Sequence, residues 1–117
     1  MSAGRKNIVV EKGSTFLLTL VWKDHNRVPI DLTGYTARMQ VRKSYSSAEK
    51  LLDLTTEKGC IVLGGVSGTI MINAPADKTS IIHDNIRSGV YDLEVVRGLN
   101  VRRLIEGEVD IRPEVTR

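Results

Sequence analysis

Two histidines, one cysteine, a cluster of loop serines and a few grouped carboxylates are the residues of this chain that could do chemistry. His25 and His83 fall in separate polar turns, and neither has a His or Cys neighbour at the spacing that holds a metal ion. Both read as solvated loop histidines, and the chain calls for no metal or other cofactor. Cys60 stands alone, so it cannot close an internal disulfide, and with Ile61, Val62 and Leu63 after it the expectation is a small buried side chain. A nucleophilic triad would need a serine on a strand-turn-helix elbow, whereas Ser44, Ser46 and Ser47 cluster in one loop. Asp53 with Glu57, or Glu106, Glu108 and Asp110, could in principle do acid-base work. The last three recur at every second position, which reads more simply as a solvated strand face opposite lysines and arginines. Gly64-Gly65-Val66-Ser67-Gly68 invites a phosphate-binding reading, but a P-loop continues with Gly-Lys-Ser/Thr and a helix. Here Thr-Ile-Met-Ile-Asn follows, so the glycines read as a hairpin connection. No enzyme is expected.

Nucleic acid is a weaker candidate partner. Tyr35, Arg38, Arg42 and Tyr45 come nearest to an aromatic and basic stacking platform, yet Tyr35 lies on the core-facing parity of its strand. The net charge is +3, and the basic residues are scattered in ones and twos instead of forming one patch.

The elements that must position these residues are short and alternating. With 117 residues, 41% of them apolar and 26% charged, the sequence predicts one domain, 1–117, around a single core. No apolar run approaches the roughly 20 residues that span a bilayer. The first residues lack the apolar stretch of a signal peptide, so synthesis in the cytoplasm without that export route is expected. The organising stretch is Phe16–Arg42. Phe16, Leu18, Leu20 and Trp22 share one face of a first strand, and Tyr35, Ala37, Met39 and Val41 share one face of a second. Between them, Pro29 and Gly34 break the strand pattern.

Further strands are expected at 7–11, 52–55, 60–63, 69–73, 90–97 and 101–112, the last two joined by the tight turn Gly98-Leu99-Asn100. Gly107 interrupts the last run and suggests a bulge, and Arg103 falls on its otherwise apolar parity. Ala74–Asp84 is the best helix candidate, one or two turns long. Seven or eight strands with one brief helix predict an all-β, two-layer antiparallel sandwich whose core is built from Leu, Ile and Val.

Four segments carry a resemblance: WKDHNRVPIDLTGYTARMQVR, GTIMINAPADKT, VYDLEV and EGEVDIRPEVTR. Together they resemble small virion proteins of tailed bacteriophages. The strand, polar turn, Pro-Ile-Asp-Leu-Thr-Gly and second strand look like the N-terminal domain of the phage baseplate upper protein family. That resemblance implies an immunoglobulin-like sandwich that joins other virion proteins, present in several copies in a symmetric assembly. Baseplate upper proteins continue into helical and receptor-carrying regions, and this chain stops after the sandwich, so a free-standing tail or baseplate adaptor located in the virion is expected. A capsid decoration or head-tail connection protein of the same fold is the alternative, or a small nucleic-acid- or carbohydrate-binding module.

Attachment is expected through flexible arms at 1–6 and 113–117, which lack strong apolar anchors. Their candidate partner contacts are Arg5, Lys6, Val115 and Arg117. Each arm is expected to be disordered in isolation and to pair along a neighbour after assembly.

Overall fold

Alternation of apolar and polar residues decides which side of each strand is buried. In Thr36–Arg42, Ala37, Met39 and Val41 are buried while Thr36 and Arg38 face solvent. A computed structural model describes residues 4–116. Its elements are β1 (Gly4–Arg5), β2 (Ile8–Glu11), β3 (Phe16–Val21), β4 (Thr36–Arg42), β5 (Leu52–Thr55) and β6 (Ile61–Leu63). A 3-10 turn (Gly65–Ser67), β7 (Thr69–Ala74), α1 (Ala76–Thr79), β8 (Ser88–Arg97) and β9 (Asn100–Arg112) complete the chain.

The strands form a two-sheet, all-β sandwich with one short helix, as the alternation implied. The larger sheet runs β1 and β2, then β9, β8, β4 and β5; the smaller runs β3, β7, β6. Met39, Leu54, Leu93 and Val95 from the larger sheet meet Ile61, Ile70 and Ile72 from the smaller in a buried core. Burying each such side chain contributes about 1.5–3 kcal/mol, and Phe16 and Tyr91 add aromatic bulk to a core made mainly of Leu, Ile and Val.

The two strands of the organising stretch lie in different sheets. β3 pairs with β7 and β4 pairs with β5 and β8, so the link between them crosses from one layer to the other. That link is held by its own side chains. The Asp24 carboxylate accepts from the amides of Asn26 and Val28, Leu32 is buried, and Tyr35 packs edge-on against Trp22 with ring centres 5.9 Å apart. Gly68 closes the glycine-rich connection with φ 70°, and a Cβ there would come within 2.6 Å of the Trp22 carbonyl. The connection joins β6 to β7, as the hairpin reading required.

The expected flexible arm at 1–6 is overturned for residues 4–6. Gly4–Arg5 and Ile8–Glu11 both pair parallel with β9 in one continuous register, Gly4 opposite Ile105 and Glu11 opposite Arg112. The cause is Gly107. Its missing side chain leaves room for the Lys6 carbonyl, which would lie 2.2 Å from a Cβ at that position. The Tyr91 hydroxyl donates to that carbonyl at 2.6 Å, and the Lys6 amide donates to Glu106 O at 3.0 Å. Burial pushes the Tyr91 phenol up to about 12, opposed by Arg5, so the neutral, donating form persists at ordinary pH. Met1–Ala3 and Arg117 lie outside the described residues.

The irregularity in β9 sits beside Leu104, not at Gly107. Leu93 pairs with Ile105 but Glu94 pairs with Arg103, so Leu104 is the extra residue of a bulge and Arg103 turns outward. Within 74–84 the helix is one turn, as expected: Pro75 caps it and Ala76–Thr79 form it. Its buried Thr79 serves the crossover between sheets, donating to Ser14 O at 2.8 Å and accepting from the Gly13 amide at 3.1 Å. Beside it the buried ammonium of Lys12 pairs with the exposed Asp84 carboxylate.

Candidate interaction face

The two outer faces of the sandwich differ in chemistry. On the larger sheet, the outward face of β4, β8 and β9 carries charged residues paired across strands, alongside the uncharged Thr36, Gln40, Val90, Val96 and Val101. Arg38 meets Glu94 at 2.8 Å, and Arg103 lies 3.4 Å from both Asp92 and Glu106. Asp53 on β5 is held by Lys58 at 3.0 Å and Lys50 at 3.6 Å. A shallow trough of about 260 Å³ crosses this face between Gln40, Arg42, Tyr45, Asp92, Arg103 and Glu106. Burial pushes the Asp92 carboxyl up, helped by Glu94 and Glu106 and opposed by Arg103 and Arg38. The acids and bases here largely neutralise one another.

The smaller sheet turns a different surface outward. Cross-strand partners share a face, so the register places Leu17 beside Asn73, Thr19 beside Met71 and Val62, and Val21 beside Thr69. All seven are uncharged. Leu17 is 68% exposed, Val62 56%, Met71 51% and Val21 48%. Large exposed apolar patches mark interaction sites, and Leu17, Val21, Val62 and Met71 bring four apolar side chains to this uncharged face.

The residues singled out from sequence scatter over the molecule. Arg5 lies beside β9 with its guanidinium 3.9 Å from Glu108, both side chains exposed. Lys6 contributes its backbone to the β9 pairing. Val115 is exposed beyond the Arg112 end of β9, whereas Arg5 sits beside Glu106 in the middle of that strand. Glu106, Glu108 and Asp110 each have a basic partner, in Arg103, Arg5 and Arg112, which makes them a solvated face. Arg42 is committed to the carbonyls of Ser47 and Ala48, Arg38 to Glu94, and Tyr35 to Trp22, so no stacking platform forms from that set. His25 and His83 are exposed and Cys60 is buried. Among the described residues, no group of three His, Cys, Asp or Glu side chains could hold a metal ion, and no helix is long and apolar enough to cross a membrane.

Sequence reasoning missed the uncharged face, although its signal was present. Phe-Leu-Leu-Thr-Leu-Val carries no charge on either parity, whereas a strand covered on one side alternates apolar with polar. Searches against family models and curated proteins find no match to this chain.

Proposed function

We propose that the protein is a structural component of a tailed-phage virion, a tail or baseplate adaptor that docks on other virion proteins through the outer face of β3, β7 and β6. One observation carries the docking reading: the uncharged face of Leu17, Thr19, Val21, Val62, Thr69, Met71 and Asn73, set against an ion-paired face on the other sheet. The virion setting rests on the resemblance of four segments, GTIMINAPADKT among them, to small tailed-phage virion proteins, and of WKDHNRVPIDLTGYTARMQVR to baseplate upper proteins. Docking through a sandwich face takes the place of attachment by residues 4–6, which are already committed to β9, and leaves the expected arm at 113–117 as a separate proposal.

The test is incorporation into particles. Val62→Glu and Met71→Glu place a carboxylate where a partner would strip its water, and unpaired charge buried at an interface costs several kcal/mol. Both substituted side chains project into solvent in the free protein, so folding is expected to survive, as circular dichroism would check. Incorporation measured by mass spectrometry of purified particles should fall at least about tenfold, the effect of losing ~1.4 kcal/mol. Glu108→Lys on the opposite sheet should incorporate normally. Absence of the wild-type protein from particles would sink the virion reading, and normal incorporation of both glutamate variants would sink the docking face.

A further inference from the structure

We infer that the free edge of β3 is a self-pairing edge, through which two copies of this chain join antiparallel into one continuous six-stranded sheet. The inference rests on the docking reading above and adds a partner and a geometry to it.

The open edge follows from hydrogen-bond alternation. On β7, the Asn73 amide donates to Cys60 O and Gly64 N donates to Thr69 O, so its odd-numbered residues bond β6. Its even-numbered residues, Ile70, Ile72 and Ala74, therefore face Leu20, Leu18 and Phe16. Leu17, Thr19 and Val21 are left to direct their N–H and C=O groups away from the sheet. Among the described residues, β3 has no strand on that side.

Natural edges are blunted by charge, proline or brevity. β5 carries Asp53 with Lys58 and Lys50 around it, the β1–β2 edge carries Arg5 and Glu11, and β6 is three residues long. β3 has six residues, no charge and no proline.

The sequence of β3 is also self-complementary. A two-fold axis through Thr19 sets Thr19 opposite its own copy, Leu17 opposite the copy's Val21, and Leu18 opposite the copy's Leu20. Each odd-numbered pair is then a hydrogen-bonded pair, each outward pair is apolar or Thr–Thr, and no charge meets a like charge. The pairing also doubles the uncharged outer face, giving a symmetric assembly a wider surface to grip.

The experiment uses the full chain without any particle. Sedimentation across ~10–300 μM, a range that brackets weak association, should show concentration-dependent dimer. Hydrogen exchange at Leu17, Thr19 and Val21 should slow as dimer forms. Thr19→Lys puts like charges face to face across the axis and should weaken dimerisation on the order of tenfold. Oxidised Thr19→Cys should give a covalent dimer, because hydrogen-bonded partners lie about 5.5 Å apart at Cα, within disulfide reach. A strictly monomeric wild type, or a dimer indifferent to both substitutions, overturns the inference. Slowed exchange at β3 only inside particles also overturns it, assigning the edge to a different protein. None of these outcomes depends on Val62→Glu incorporation, so the docking face stands or falls separately.

Discussion

Asp92 sits half-buried between Glu94 and Glu106, and its protonation is tied to the stability of the fold. Burial raises its carboxyl above the ordinary carboxylate value, Glu94 and Glu106 add to this, and Arg103 and Arg38 oppose them. A raised folded value means stability that is fully present below the unfolded pKa and lost as pH rises through the folded one. Ionised Asp92 is therefore a liability at neutral pH. Asp92→Asn should raise neutral-pH stability by less than about 1 kcal/mol after solvent screening, with the gain vanishing in acid. Thermal melts of both proteins from about pH 3 to 7 check this, the span over which an ordinary carboxylate titrates, and a loss of stability at neutral pH would refute it. Asp53 runs the other way. Burial resists its ionisation, but the Lys58 hydrogen bond and the charges of Lys58 and Lys50 win and lower it. Its contribution is present above the unfolded pKa and fades as pH falls through the folded one. The outward parity of Asp92, Glu94 and Glu106 was legible in the sequence. The Asp92–Arg103 pair was not, because it depends on the Leu104 bulge, which a single-strand pattern leaves unplaced.

At the scale of elements, the N-terminal strand shows where local reading fails. Gly4-Arg5-Lys6 has no apolar anchor, and from that alone a free arm follows. What holds it is supplied by distant residues: the gap at Gly107, the hydroxyl of Tyr91, and Asn7, whose side chain accepts from the Glu108 amide at 3.0 Å. Gly107→Ala should therefore cost about 1–3 kcal/mol in denaturant melts, through displacement of the Lys6 backbone. Tyr91→Phe should cost roughly 1 kcal/mol, the ordinary worth of one hydrogen bond. Both should speed amide exchange at Lys6 while leaving β7 protected. Equal stability of Gly107→Ala and the wild type would mean the arm is not seated there. The helix is held to a single turn, within the one or two expected of it, for a related reason. Ala74–Asp84 has a helical composition, but Thr79 is recruited by Ser14 and Gly13, and the chain turns away to deliver Asp84 to Lys12.

Over the whole molecule, alternation identified the strands and the all-β class but not the partition into sheets. Phe16–Val21 and Thr36–Arg42 look alike as patterns, and only the crossover through the buried Leu32 assigns them to opposite layers. The parallel seating of the first strand has a mechanical consequence. Gly4 lies beside Ile105 and Glu11 beside Arg112, so the chain enters the sheet at one end of this interface and leaves it at the other. Tension applied between residues 4 and 112 acts along the two strands in opposite senses, and every rung between them resists together. Attaching the second handle at Ile105 instead, directly beside Gly4, would open the rungs one after another. Single-molecule stretching at a fixed speed should give a higher rupture force for the first geometry than for the second, and equal forces would show that the strain is borne elsewhere. A domain built this way is expected to carry load lengthwise through β2 and β9 and to yield readily only when peeled.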